Sequence, residues 1–171
     1  MNTQNQSPFI PELPPNPDKI QKLFALRELL QKVADLKDQD NNTLFNYGDS
    51  HFRCGKMEEH PIVKTLSNEK PGHIHVCGTP ACVAGWTGFL DPERSIRDEQ
   101  YWDWNKEHAA KFLELTEGET NFLFLCQEYI DQDGTIIYPH WADQDDYCLT
   151  LSDIPIREAI KRIDFIIKQN E

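Results

Sequence analysis

Residues 152–171, SDIPIREAIKRIDFIIKQNE, carry the clearest structural signal in this chain of 171 residues. Apolar residues recur there at steps of three and four, which in a helix brings them onto one face. That face consists of Ile156, Ala159, Ile160, Ile163, Ile166 and Ile167. Four basic residues are expected on the other, solvent-facing side: Arg157, Lys161, Arg162 and Lys168. The stretch predicts an amphipathic helix with Ser152 as its cap and with Asp153 and Pro155 in its first turn.

A second amphipathic helix is predicted from Asp18 to Lys37. Pro17 and Asp18 suit its first turn, where a missing amide donor and a negative charge are both tolerated. Its apolar stripe follows helical spacing: Ile20, Leu23, Phe24, Leu26, Leu30, Val33 and Ala34. Because the stripe lies on one side of the helix, the helix is predicted to be amphipathic.

Two shorter helices are predicted in the middle of the chain. One begins at Thr79, whose hydroxyl caps it, with Pro80 in the first helical position. The other runs from Lys106 to Leu115, with Asn105 as its cap.

A capping box marks the start of a further helix at Thr116, since Glu119 follows three residues later. This helix is predicted to run towards Tyr129. Asp131–Gly134 reads as a turn, and Thr135–Tyr138 as a short strand for which the sequence indicates no clear partner.

Residues 44–76 show little periodicity, and only a single helical turn is expected near Ile62–Leu66. Several apolar residues in this region are expected to dock on the core: Leu44, Phe45, Phe52, Ile62, Val63 and Leu66. Residues 1–17 contain five prolines, which exclude a helix or a central strand. The sequence therefore predicts a flexible proline-rich leader, 1–17, before a single helical domain, 18–171, of about five helices with irregular loops.

Charge and composition limit the class of protein. The chain has 29 acidic and 17 basic residues, a formal net charge of −12, and 11% aromatic residues. The aromatic content argues against a fully disordered chain, and the acidic balance argues against direct nucleic-acid binding, which needs a basic surface. No apolar run reaches the about 18 residues of a membrane span, and no secretory signal is visible. Five cysteines, an odd number, then predict reduced thiols in a cytoplasmic protein.

Residues 73–86, HIHVCGTPACVAGW, form the most unusual stretch because they place two histidines and two cysteines at a helix start. The favoured interpretation is structural: Thr79 caps the helix, and Cys82 and Trp86 pack on one face. This interpretation requires no cofactor.

Two chemical interpretations of the same stretch remain open. In a zinc site, three of the ligands would be His75, Cys77 and Cys82. The fourth ligand would be Cys54 or His73. The spacing of these residues is unlike that of short zinc knuckles. In a thiol enzyme, Cys82 would be a nucleophile whose pKa is lowered by the first turn of its helix. His108 or His140 would then act as the base and Asp143 as the orienting group.

The stretch also resembles a pattern, Cys-Gly-Thr-x-x-Cys-x-x-Gly-Trp, of small uncharacterised bacterial and phage proteins. Cys77, Cys82 and Trp86 stand at the corresponding positions, and the resemblance covers about the second half of the chain. It implies a compact helical domain. It brings no known activity, and so no catalytic residue is carried over.

An aromatic run, Tyr101-Trp102-Asp103-Trp104, is a candidate interaction site, because interfaces favour tryptophan and tyrosine. Packing between helices explains the same run equally well. The predicted function is a non-enzymatic, acidic interaction protein that binds a basic protein surface, such as a phage or bacterial accessory or inhibitor protein. The alternative is a thiol- or zinc-dependent enzyme centred on the segment from Cys77 to Cys82.

Overall fold

The structure, a computed structural model, describes residues 8–36, 45, 61–69, 82–91, 106–125, 127–130, 133–138 and 154–171. These residues are mainly helical, which confirms the predicted fold class. The helices are α1 (Lys19–Asp35), α2 (Pro61–Glu69), α3 (Val83–Thr87), α4 (Lys106–Leu113), α5 (Glu117–Phe124) and α6 (Ile156–Asn170). Two short strands, β1 (Tyr129–Ile130) and β2 (Ile136–Tyr138), pair in an antiparallel hairpin. Within the described ranges no helix has the length and apolarity that crossing a bilayer requires.

Helices α1 and α6 pack against each other along the centre of the core. On α1 the buried face is formed by Leu23, Ala25, Leu26, Leu29, Leu30 and Val33. The predicted stripe was wrong at Phe24, which is 48% exposed. With 3.6 residues per turn, Phe24 lies about half a turn from the middle of this buried face. Leu29, which the prediction left out, is fully buried instead.

A capping box begins α1 one residue later than predicted. Asp18 is the N-cap rather than a first-turn residue, and its carboxylate accepts a hydrogen bond from the Gln21 amide at 2.8 Å. The Gln21 side chain accepts one from the Asp18 amide at 3.0 Å. The two bonds satisfy amides that a helix start otherwise leaves unpaired.

The described part of the proline-rich leader, residues 8–17, lies on the core. Ile10 is 3% exposed. The Glu69 carboxylate at the end of α2 accepts hydrogen bonds from the amides of Phe9 and Ile10, each at 2.7 Å. Lys32 of α1 donates to the carbonyl of Pro8 at 2.9 Å. Two helices therefore hold the leader through its backbone.

Helix α2 has nine residues where the sequence predicted a single turn. Ile62 and Leu66 are buried, as is Phe45, so these three predicted docking residues are confirmed. Polar residues between and after Ile62 and Leu66 interrupt the apolar spacing, so the sequence predicted only one turn of this helix. Leu44 and Phe52 lie outside the described residues.

Helix α3 begins at Val83, later than predicted, because Cys82 is its N-cap in an extended conformation. The predicted start at Thr79 and Pro80 lies outside the described residues. The helix is only five residues long, and it carries Trp86, which is fully buried.

Helix α4 begins at Lys106 as predicted but ends at Leu113, two residues early. Glu114 has a φ of 58°, in the left-handed region that terminates helices. The amides of Glu114 and Leu115 then reach back to the carbonyls of Lys111 and Ala110 at 3.2 and 2.9 Å. This paired pattern is a Schellman motif, here formed without glycine.

The predicted capping box of α5 is confirmed, since Thr116 and Glu119 exchange side-chain-to-backbone hydrogen bonds. The helix stops at Phe124 and does not continue towards Tyr129, which lies in β1. Likewise, α6 begins at Ile156 with Pro155 as its N-cap, so Pro155 is not in the first turn. Ser152 and Asp153 lie outside the described residues.

Arg162 of α6 was predicted on the solvent side, yet it is fully buried. Its Nε donates to the Glu158 carboxylate at 3.2 Å, and its Nη1 donates to the carbonyls of Phe122 at 2.8 Å and Gln127 at 3.1 Å. The guanidinium also lies 4.6 Å from the centre of the Phe122 ring. Helical spacing places Arg162 beside the apolar stripe, and α5 covers that flank of α6.

Replacing Arg162 by methionine is expected to destabilise the fold by roughly 3 kcal/mol. The change leaves the Glu158 carboxylate buried without its arginine and two carbonyls without their donor. Urea denaturation measures the free energy of unfolding. Arg157→Met is the matched control, because it removes the same charge from an exposed position of the same helix. Equal losses in the two variants would contradict a special role for the buried arginine.

Three helix ends meet at the Glu119 carboxylate, which is buried. Lys19 at the start of α1 donates to both carboxylate oxygens at 2.7 and 2.8 Å. Asn170 at the end of α6 donates at 2.8 Å, and the Thr116 amide does so at 2.8 Å. Burial by itself raises the pKa of Glu119. The hydrogen bonds from Lys19, Thr116 and Asn170 and the charge of Lys19 outweigh burial and hold that pKa below its ordinary value.

The Glu119 junction is expected to make stability depend on acid pH. Because the folded carboxyl binds a proton less readily than the unfolded one, its stabilisation is full above about pH 4.5 and is lost as pH falls through the lower folded pKa. Glu119→Gln is therefore expected to be less stable than wild type at neutral pH, by a margin that shrinks in acid. Urea denaturation at about pH 7 and about pH 3 measures this margin. Glu117→Gln, at an exposed position of the same helix, is the control; a margin for Glu119→Gln that stays constant with pH would refute the assignment.

Candidate functional site

The hairpin of β1 and β2 is the candidate functional site. Tyr129 pairs with Tyr138 and Ile130 with Ile136, so the register shifts by one residue between the two pairs. The shift leaves one extra residue, Ile137, on β2, as in a β-bulge. The chain reverses through a turn in which Gly134 has a φ of 80°.

A ring cluster attaches the hairpin to the helices. The Tyr129 ring meets the rings of Phe122 and Phe165 edge-on, with centroids 5.2 and 4.9 Å apart. Burial, and after it the negative charge of Glu119, raises the pKa of Tyr129. Arg162 also binds the carbonyl of Gln127, two residues before β1. Rings and backbone together hold β1 on α5 and α6.

Three isoleucines of the hairpin are exposed to solvent. Ile130 is 56% exposed, Ile136 50% and Ile137 39%, and we call these three residues the isoleucine surface. Ile130 and Ile136 lie opposite each other on the two strands. Acidic residues flank them, with Glu128 half-buried before β1 and Asp133 exposed in the turn. Apolar side chains displayed on an anchored element are a feature of protein-binding sites.

The structure describes two of the predicted chemical residues, Cys82 and His108. Cys82 is half-buried, packs against the core and is the N-cap of a five-residue helix without a side-chain capping bond. The predicted first-turn position for its thiol was therefore wrong. His108, a predicted base, is exposed on α4. The other candidates lie outside the described residues: Cys54, His73, His75, Cys77, Tyr101, Trp102, Trp104, His140 and Asp143.

Metal ligands were part of the zinc interpretation. Among the residues that are described, no group of three or more His, Cys, Asp or Glu side chains could hold a metal ion. Of the predicted zinc ligands, only Cys82 is among the described residues, so the zinc interpretation stays a prediction.

Comparison with known proteins adds no assignment to this surface. No family model matches the chain, and neither the curated proteins nor the solved structures give a match. The resemblance to small bacterial and phage proteins therefore stays a prediction.

Sequence reasoning missed the isoleucine surface because it assigned Tyr129 to a helix. A hairpin signal was nevertheless present. Two short runs of aromatic and β-branched residues, Tyr129-Ile130 and Ile136-Ile137-Tyr138, flank an Asp133-Gly134 pair. The strand over Ile136–Tyr138 was predicted, but its partner β1 was not.

Gly134→Ala is expected to weaken the hairpin by about 1 kcal/mol, because its positive φ strains any residue with a Cβ. Hydrogen exchange at the amides of Ile130 and Ile136 should accelerate about fivefold. Gly118→Ala in α5 is the matched control, since both glycines have open space where a methyl group would stand but only Gly134 has a positive φ. Unchanged exchange in Gly134→Ala would contradict the turn geometry.

Proposed function

We propose that this chain is a non-enzymatic, acidic interaction protein that binds a basic protein surface through its isoleucine surface. The observation that carries the proposal is the exposure of Ile130, Ile136 and Ile137 on a hairpin that rings and a buried arginine hold in place. The chain acts in the cytoplasm, as an accessory or inhibitor protein of a bacterium or phage. Its partner is a protein and not a nucleic acid.

The apolar contact supplies affinity in this proposal. Burying an exposed isoleucine fully contributes roughly 1.5–3 kcal/mol, and the residues here are already half-covered, so each contributes less. Three such residues together offset only part of the cost of association. The contact therefore has to extend beyond the isoleucine surface, with these residues as its centre.

Charge orients the partner and raises the rate of association in this proposal. A net charge of −12 attracts a basic surface at long range and repels nucleic-acid phosphates. Glu128 and Asp133 place carboxylates beside the isoleucine surface. Protein interfaces commonly have such a polar rim around an apolar centre. Binding is therefore expected to weaken as salt rises, because salt screens exposed charges.

The test begins with affinity capture on the immobilised full chain and continues with each captured protein in purified form. Binding is measured for wild type, for the double variant Ile130→Ser/Ile136→Ser and for Phe24→Ser. The double variant is expected to bind about tenfold or more weakly, because it removes two central apolar contacts. Phe24→Ser is the matched control, since Phe24 is an equally exposed apolar residue on α1.

Salt dependence completes the test. Raising salt from about 50 to about 300 mM should weaken wild-type binding, as screening requires. Salt-insensitive binding, or a binding constant that the isoleucine substitutions leave unchanged, would overturn the proposal. A captured protein with an acidic surface would overturn the assigned partner class.

A further inference from the structure

The leader encloses a second surface feature, away from the hairpin. Residues 8 and 10–17 border an open groove of about 640 Å³, together with Glu69 at the end of α2 and Leu90 after α3. The apolar part of its lining comes from proline rings and from Ile10, Leu13 and Leu90. This volume accommodates a large side chain with part of the chain that carries it.

The leader segment that lines the groove has many backbone hydrogen-bond acceptors and few backbone donors. Five of the ten leader residues from 8 to 17 are prolines, which have a carbonyl but no amide hydrogen. The amides of Phe9 and Ile10 already donate to Glu69 at 2.7 Å. In the leader backbone, carbonyl acceptors therefore outnumber the remaining amide donors, which favours a ligand that carries only donors.

Among the described residues that line the groove, the two charged side chains, Glu12 and Glu69, are both carboxylates. Glu69 holds the leader backbone, whereas Glu12 is exposed to solvent. Lys32 binds the carbonyl of Pro8 from the α1 side and is not among the described lining residues. The groove is therefore complementary to a positive charge.

Arginine combines the properties that this groove requires. Its guanidinium has five donors and no acceptor and is planar and weakly hydrated, while its stem is apolar. Lysine also carries donors only, but its compact ammonium is more strongly hydrated and therefore costs more free energy to bring into the groove. We propose that the leader groove binds an arginine side chain of the protein partner. This inference rests on the proposed function, because it names a residue on the basic surface.

The probe is a short peptide, acetyl-Gly-Arg-Gly-amide, with matched peptides that carry lysine or the neutral isostere citrulline at the centre. The full-length chain is titrated, and the amide resonances of Glu12, Leu13 and Asn16 are followed by NMR. Saturable shifts confined to the leader are expected with the arginine peptide, weaker ones with lysine and none with citrulline. Because only one side chain is recognised, the dissociation constant of the arginine peptide should be roughly millimolar.

Glu12→Gln should weaken binding of the arginine peptide about threefold, as expected for an exposed charge pair. Glu117→Gln makes the same change in net charge at an exposed position of α5, outside the groove, and should leave binding unchanged. Equal effects in the two variants would show that net charge, and not the groove, governs binding.

Two outcomes overturn the inference: the absence of saturable leader shifts, or equal shifts with arginine and citrulline. Neither outcome bears on the proposed role of the isoleucine surface. Salt-sensitive, isoleucine-dependent binding of a captured protein, together with a silent groove, removes this inference and retains the proposed function. If the arginine peptide binds the groove but the isoleucine variants bind the captured protein as tightly as wild type, the groove inference is retained. The role of the isoleucine surface in the proposed function is then rejected.

Discussion

The buried guanidinium of Arg162 is the constraint on which the rest of the described structure depends. It satisfies the carbonyl of Phe122 near the end of α5 and that of Gln127 before β1, while Glu158 balances its charge. Taking an arginine and a glutamate out of water is costly, and the cost is offset only where further hydrogen bonds complete the geometry. Here those bonds go to the backbone at the place where a helix changes into a strand. The charge pair thus holds the backbone on both sides of the change from α5 to the hairpin.

The Glu119 junction acts at the opposite end of α5. A carboxylate there joins the first residue of α1 to the last residue of α6, so the two central helices are aligned by their ends as well as by their apolar faces. Between the two polar junctions lies a continuous hydrophobic core. Apolar burial supplies most of the stability, whereas the polar junctions restrict how the helices are placed.

These constraints bear directly on the proposed interactions. A two-stranded hairpin is marginally stable alone, so its display of Ile130 and Ile136 depends on the rings and the arginine beneath it. The leader groove depends in the same way on Glu69, which fixes two leader amides. In the proposal, the partner meets two preformed surfaces, and less conformational entropy is lost on binding.

The sequence by itself determined the elements whose signals are local. The spacing of apolar residues predicted α1 and α6, and the Thr116-Glu119 pair predicted the start of α5, because periodicity and capping act within one or two turns. Tertiary structure decided what depends on distant residues: the burial of Arg162 under α5, the exposure of Phe24, the early end of α5 and the pairing of β2 with β1. It also decided that the leader docks on Glu69, which is 59 residues from Ile10. In each case the energy comes from a partner far along the chain, which local spacing does not reveal.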